Sequence, residues 1–591
     1  MKPLYFLFIF LFLAFSCKDA IKTDEQTFPT VFENSEGQQT ATYDEVIDFY
    51  LRLAKEFPSI NVQTIGGTDC GYPLHLVTYN PEANFNFQKI REEKSLLLIN
   101  NGIHPGEPDG IDATMLLFRD LAQKQLTIPK NLVITTIPVY NVGGMLNRNG
   151  TTRVNQNGPV SYGFRGNALN YDLNRDFIKM DTKNAITFAN IFHLVKPDVF
   201  IDNHVSNGAD YQYTLTHLFT QHNKLGGELG TYLNDELVPS LEKGLLDVNF
   251  EITPYVNVFN RPPDNGFSQF MDHPRYSTGY TTLWNTLGMM VETHMLKAYK
   301  PRVQGTYELM KKMVEIIELD HKKIKSLRSE ANELTMNSEK FLLNWTLDTT
   351  KTSSFIFKGF EADTIISEIT GMPRLKYDKE KPFEKEIHYQ NEYYPKDTIT
   401  IPEAYIIKKG WQKVIDRLTA NEIEFYELEE DTLLTVEGYG IASYETFSRP
   451  YEGHYPHYNT EVSVSKMTVS FSKGDYIVPS KQAGIRYLLE TLEPQAVDSF
   501  FNWNFFDTVL QQKEGFSPYV FEDLALTILE ENPALRDSLE YKKQKDETFA
   551  KNWYGQLDWI YKNSQYREPS YLQYPVYRIL KENGSTVMLK N

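Results

Sequence analysis

The sequence predicts an α/β fold, a mixed sheet with helices on both faces, followed by a C-terminal α+β accessory domain. In the first half, apolar runs of strand length alternate with segments whose apolar residues recur at helical spacing. Two histidines, His104 and His204, stand at or just past the ends of such runs, where ligands gather in sheets of this kind. After about Leu334 the pattern changes to short strands with polar turns, so a second unit begins there.

The chain opens on a targeting segment. Lys2 gives a positive start, and Leu4 to Ala14 is an apolar run too short to span a bilayer. Ala14-Phe15-Ser16-Cys17 resembles the lipobox of bacterial lipoproteins, in which Cys17 becomes the acylated first residue. Residues 1–16 are then a signal peptide and residues 17–41 a polar tether. The chain has two cysteines, Cys17 and Cys70, so acylation of Cys17 leaves no disulfide. The expected location is the cell envelope, with the protein held to the outer membrane by its lipid alone, on a face the sequence does not fix. A formal charge of −18 without a basic cluster argues against a nucleic-acid partner. With 37 Phe and 37 Tyr in 591 residues, the body can bury a large core.

The elements follow in order. Tyr43 to Phe57 has helical periodicity and stops at Pro58. Ile60 to Ile65 and Leu74 to Tyr79 read as strands joined by a Gly-rich turn. Leu96-Leu97-Leu98-Ile99 is a buried strand, followed by a helix from Ile111 to about Gln125. Leu132 to Val139 is a strand, Asp181 to Val195 a helix, and Val199 to His204 a strand ending on its histidine. Leu287 to His294 is an apolar strand interrupted by Glu292, and a helix from about Lys300 to Leu334 closes the unit, taken as 42–335.

Asn100 to Gly110 organises the rest. His104 and Glu107 lie three residues apart in a Gly- and Pro-rich loop between strand and helix, so both can face one point. An imidazole and a carboxylate so placed are metal ligands of the kind zinc takes, and His204 is the third candidate. Glu292 intrudes into an apolar strand, where a carboxylate is near solvent, paired or functional; it is the candidate general base. His294 either lines the same cleft or is a histidine satisfied in the core.

With those four residues in hand, the chain resembles the zinc carboxypeptidases of the carboxypeptidase A/B type, the funnelin metallopeptidases. Asn170-Tyr171-Asp172-Leu173-Asn174-Arg175-Asp176-Phe177 looks like that family's Asp-x-Asn-Arg-Asn-Phe motif. The resemblance covers about residues 43–330. It implies one zinc ion per chain, held by His104, Glu107 and His204, with Glu292 as the base for a zinc-activated water. It also implies that Asn174 and Arg175 hold the substrate's terminal carboxylate and that Asp172 accepts from a ligand histidine, His104. Arg153, in Arg153-Val154-Asn155, resembles the family's carbonyl-polarising arginine, with Arg148 as a rival. The family's flexible tyrosine is not assignable here; Tyr276 and Tyr280 are candidates, and Tyr280 is taken as substrate-binding. Asp176 departs from the family's Asn, and the stretch from Arg153 to Asn174 is longer than in the animal digestive enzymes.

The resemblance therefore implies a metallocarboxypeptidase acting on peptides with a free C-terminal carboxylate. Two alternatives stand beside it: a zinc amidase or deacylase acting on peptidoglycan stem peptides or N-acyl amino acids, and a non-catalytic envelope binding lipoprotein. The remainder divides into a β-rich connecting segment, 336–395, and an accessory domain, 396–591. His454 and His457 in the latter could bind a metal but read better as part of an exposed aromatic loop.

Overall fold

A computed structural model describes residues 28–581. The signal segment, Cys17 and the start of the tether lie outside the described residues. Among the described residues, no helix is long and apolar enough to cross a membrane.

The first half is built on an eight-stranded mixed sheet. Its strands are β1 (Ile60–Gly67), β2 (Pro73–Tyr79), β3 (Ser95–Asn100), β4 (Leu132–Ile137), β5 (Val199–Ser206), β6 (Leu215–Phe219), β7 (Ile252–Pro254) and β9 (Leu287–His294), where β8 is the short Phe267–Ser268 outside this sheet. Their spatial order is β1-β2-β4-β3-β5-β9-β6-β7. β3, β4, β5 and β9 run parallel, β1 and β2 meet their neighbours antiparallel, and β6 is antiparallel to β9 and parallel to β7. The chain steps from β3 to β4 and then back across β3 to β5. Right-handed crossovers in opposite directions put their helices, Asp109–Ala122 and Lys183–Val195, on opposite faces.

Local chemistry explains the elements. Thr42 and Glu45 close a reciprocal cap on the helix Tyr43–Glu56, which buries Tyr43, Val46, Phe49, Tyr50 and Leu53 at helical spacing. Leu96 to Ile99 are fully buried, each contributing roughly 1.5–3 kcal/mol of transfer free energy. Asp109–Ala122 is buried on almost every side because it lies between the sheet and the 39-residue helix Tyr299–Asn337.

The expected tether needs correction over its second part. Phe28 and Phe32 are buried, Thr30 and Glu33 cap the short helix Val31–Asn34, and Ala41 is fully buried. Arg119 pairs with Glu33, so residues 28–41 are part of the folded body.

The strands expected to be short in the second half are long. β11 (Ser353–Ile366) and β12 (Pro373–Gln390) form a hairpin that returns to pair with β8, and Gln212 N–H donates to the Lys358 carbonyl at 3.1 Å. β10 (Lys340–Leu347) pairs with β13 (Tyr393–Thr400). A six-stranded sheet follows, ordered β15 (Tyr426–Glu427), β18 (Tyr476–Pro479), β14 (Ala404–Ile407), β19 (Val576–Ile579), β16 (Thr432–Thr446), β17 (His457–Phe471). The aromatic-dense stretch 498–506 is buried core, with Phe500, Phe501, Trp503 and Phe506 inside. One apolar core runs through both halves; Trp284 stacks on Tyr487 with ring centroids 5.7 Å apart.

Candidate metal centre and substrate cleft

The loop after β3 folds back on itself so that His104 and Glu107 face β5. Gly110 allows this, since a Cβ there would lie 2.3 Å from Asn203 on that strand. His204 sits in β5 opposite Glu292 of β9, in parallel register. His104, Glu107 and His204 are all buried, and one donor atom from each lies within 4.8 Å of the others.

Each imidazole is held by its far nitrogen. His104 Nε2 bonds Asp172 Oδ1 at 2.8 Å, and His204 Nε2 bonds Asp202 Oδ2 at 2.8 Å. Both Nδ1 atoms therefore turn toward Glu107, at 3.4 Å from Oε1 for His104 and 3.2 Å from Oε2 for His204. His104 Nδ1 is buried without a hydrogen-bond partner. A buried, unsatisfied nitrogen is costly, and its orientation beside a carboxylate and a second aligned Nδ1 fits a bound cation. This is a metal-binding donor set.

The electrostatics agree. Burial works against the Glu107 charge, but Arg153 and the two histidines outweigh it and hold that carboxyl well below its usual range. Burial likewise opposes protonation of His204, yet Asp202 and Glu107 raise it well above an ordinary imidazole. The protein thus presents enough negative charge to want a cation at this point. Glu292 behaves differently: burial dominates and pushes it up to about 7. Its carboxyl has no hydrogen-bond partner among the described residues and lines the cleft.

That cleft, of about 280 Å³, is bounded by the three donors and Glu292 together with Arg165, Asn174, Arg175, Tyr255, Phe270, Tyr276 and Met290. Arg175 Nη1 donates to the Asn174 carbonyl, and its guanidinium lies 4.5 Å from the centroid of the Tyr276 ring. Nη1 also lies 3.8 Å from Asp172 Oδ2, and Nε and Nη2 make no hydrogen bond among the described residues. Asn174 Oδ1 accepts from Ser277 N, which leaves the Asn174 amide nitrogen for the cleft. Burial opposes the Asp172 charge, but His104 and Arg165 hold it well below the usual carboxylate range.

Three expectations are corrected. Tyr280 does not reach the cleft: it is fully buried, and its hydroxyl donates to Asn421 Oδ1 at 2.7 Å, because the helix Ser277–Thr282 carries it one turn down into the core. Tyr276, which precedes that helix, lines the cleft instead. Arg153 pairs with Glu107 at 2.7 Å and donates to the Val205 carbonyl, bracing the ligand outside the cleft. Arg148 is spent on the carbonyls of Ala41, Thr40 and Ser161. Arg165 lies within the cleft beside Arg175, bonded to Asp172 at 2.8 Å and 3.6 Å from Glu107.

His294 lies outside the donor set and the cleft: its Nε2 bonds Asp210 at 2.9 Å and its ring stacks on Tyr211, while its Nδ1 is buried without a hydrogen-bond partner. His454 and His457 pair with Asp181 and Asp507, and neither belongs to a metal cluster among the described residues; His454 stands in a turn between the exposed Gly453 and Tyr455, and His457 is buried at the start of β17. Asp176 has a local reason: it accepts from the buried Lys179 at 2.7 Å, where an asparagine would leave an ammonium short of a counter-charge. Asp202, missed in the sequence, was signalled by its place two residues before His204, on the same strand face.

No family model matches the chain. It is similar to carboxypeptidase 2 of Trichophyton rubrum, 20% identical over 505 residues that cover 79% of this chain and 84% of that one. It is also similar to carboxypeptidase 2 of Trichophyton equinum, 20% identical over 513 residues, 81% of this chain and 86% of that one. Among solved structures, carboxypeptidase A from Helicoverpa armigera aligns over 48% of this chain and 74% of its own, at 14% identity and a TM-score of 0.36. With a buried His-Glu-His donor set on a mixed α/β sheet and relatives of that name along four-fifths of its length, the chain is metallocarboxypeptidase-like.

Proposed function

We propose that the protein is a zinc-dependent exopeptidase that removes the C-terminal residue of peptides. The observation that carries this is the Asn174–Arg175 pair, which faces the same cleft as Glu292 and offers unpaired N–H groups to a carboxylate. A guanidinium stacked on an aromatic ring is held in one plane, which suits two-point contact with a carboxylate.

A zinc ion held by His104, Glu107 and His204 would supply Lewis acidity to a water and to the scissile carbonyl. Glu292, with no partner of its own, accepts the proton that the attacking water loses. A carboxyl pushed up to about 7 by burial can then deliver that proton to the leaving amine. Arg165 donates toward the oxygen that becomes negative as the carbonyl is attacked. Arg175 and Asn174 fix the substrate's end, so the bond presented to Glu292 is the last one. Asp172 and Asp202 keep both imidazoles aimed throughout. Acylation of Cys17, and with it attachment to a membrane, belongs to this proposal as well.

Mass spectrometry of a peptide mixture tests the reading. Free C-termini should lose single residues, and the same peptides amidated at the C-terminus should survive. Glu292→Gln should keep its metal and lose turnover by about 10²–10⁴-fold. Internal cleavage, or equal cleavage of amidated peptides, would remove the exopeptidase assignment.

A further inference from the structure

We propose that the loop Tyr451–His457 of the C-terminal half is part of the active site, with Glu452 acting as a positioning residue for Asp172 and so for His104 and the Asn174–Arg175 pair. The backbone N–H of Asp172 donates to Glu452 Oε2 at 2.8 Å, a bond between residues 280 positions apart. From that anchored point Asp172 does its work: Oδ1 accepts from His104 Nε2 and from Asn174 N, and Oδ2 from Arg165. Glu452 thus fixes the backbone from which a metal ligand and the substrate clamp are both aligned.

The loop is shaped for this contact. Glu452 has φ of +49°, a left-handed conformation uncommon for a residue with a side chain. Gly453 follows at φ of +79°, and a Cβ there would lie 2.7 Å from the Tyr171 hydroxyl. The backbone is therefore pressed directly onto the neighbour of Asp172. His454 then bonds Asp181 at 2.7 Å, and Asp181 shares the buried Lys179 with Asp176. The two ends of the 172–181 segment are gripped by Glu452 and His454, two residues apart in one loop.

The opposite rim is held from the same side. Arg275, next to Tyr276, donates its backbone N–H to Asp498 at 2.8 Å, and its guanidinium is ion-paired with the same carboxylate at 2.9 Å. Trp503 lies 5.2 Å from the Arg275 guanidinium and 5.9 Å from Lys179. Both walls of the carboxylate site rest on the C-terminal half, so that half sets their separation. Mere docking of two units has no need of a carboxylate aimed at the N–H of Asp172.

The test uses the full chain and three variants: Glu452→Ala, Glu452→Gln, which keeps an acceptor, and Gly453→Ala, which drives a methyl group at Tyr171. Zinc affinity is read by chelator competition, and KM and kcat on a peptide with a free C-terminal carboxylate. Glu452→Ala should bind zinc about threefold to tenfold more weakly, less than a residue bonded to the ligand histidine itself would cost. Its KM should rise about tenfold with little change in kcat, as expected when an interaction that only places the substrate is lost. Glu452→Gln should restore both values to within about twofold of the parent, and Gly453→Ala should raise KM. A folded Glu452→Ala protein with unchanged zinc affinity and KM would overturn the proposal, as would a glutamine variant as impaired as the alanine one. The peptide measurement rests on the exopeptidase reading and the zinc measurement does not. If no peptide is cleaved by the parent, the zinc arm alone still decides the role of Glu452.

Discussion

Replacing Asp202 by asparagine removes one charge and almost no volume from the metal centre. Asp202 is fully buried, and Oδ2 accepts from His204 Nε2 at 2.8 Å and from Ser277 Oγ at 2.6 Å, while Oδ1 accepts from Asn100 Nδ2 at 3.0 Å. The carboxylate can only accept, so it keeps the His204 proton on Nε2 and the lone pair on Nδ1. An asparagine has one acceptor for three donors. If its oxygen takes the Oδ1 side and stays with Asn100, its amide N–H faces Nε2 and moves the proton to Nδ1, which destroys the donor. If the oxygen takes the Oδ2 side and stays with His204 and Ser277, the buried Asn100 amide goes unpaired, at a cost of about 1–3 kcal/mol. Either way zinc affinity should fall about 10–100-fold, or about 1.4–2.7 kcal/mol. Chelator competition at pH 7 measures it, with thermal melting to show that the variant is folded. Ser277→Ala, which leaves the carboxylate in place, should lose less. A folded Asp202→Asn protein binding zinc within twofold of the parent would refute the idea that Asp202 sets the His204 tautomer.

The corrected residues yield their own tests. Arg165→Gln should lower kcat by about 10²–10³-fold with zinc retained, whereas Arg153→Gln should weaken zinc binding first, because its side chain meets Glu107 behind the cleft; similar kinetics for the two would return them to one role. Tyr280→Phe should cost about 1–2 kcal/mol of stability, since Asn421 Oδ1 loses a buried donor, and should leave KM unchanged; a raised KM would put Tyr280 back among the substrate residues. His193 is lowered to about 4, chiefly by burial, with Glu422 and Asn421 pulling the other way. Its folded-state value lies below the ordinary 6.5, so the unfolded chain takes the proton more readily; its stability contribution is complete above about pH 6.5 and is lost as pH falls toward 4, by about 2 kcal/mol at pH 5. Denaturant melts at pH 7 and pH 5 should show a smaller difference in His193→Gln than in the parent, and equal differences would exclude His193 as a source of acid sensitivity.

The donor set was legible because each member is tied to a short local pattern. His104 and Glu107 share one turn, and His204 and Glu292 each break an apolar strand whose boundaries the sequence defines well. The paired register of β5 and β9 then brings the last two side by side. The buried packing of residues 28–41 also left a local mark that went unused. Thr30-Val31-Phe32-Glu33 is a helix-capping pattern, and Phe28 and Phe32 are spaced to lie on one side of it. Arg165 and Tyr276 were not legible in the same way. The segment from Arg153 to Asp172 has no helical or strand periodicity, so nothing in its sequence says which arginine turns inward. Tyr276 and Tyr280 are four apart, and only the point at which the helix Ser277–Thr282 begins separates a cleft residue from a core residue.

What the sequence hid most completely is the wall behind the substrate. Asn174 and Arg175 announce themselves through a compact motif, yet their backbone is held by Glu452, and Lys179 of the same segment lies under Trp503. Neither partner sits in a pattern that names a target, because a hydrogen bond from a remote N–H to a glutamate leaves no periodicity. The Asp176 departure from the family motif was the one local trace of that wall. The aspartate accepts from the N–H groups of Asp181 and Thr182 and from the Thr182 hydroxyl, and it also neutralises Lys179, a cation buried between Tyr171 and Trp503 of the C-terminal half. A single residue that breaks a motif thus pointed to the packing of a whole second unit against the site, through the physical rule that buried charges come in pairs.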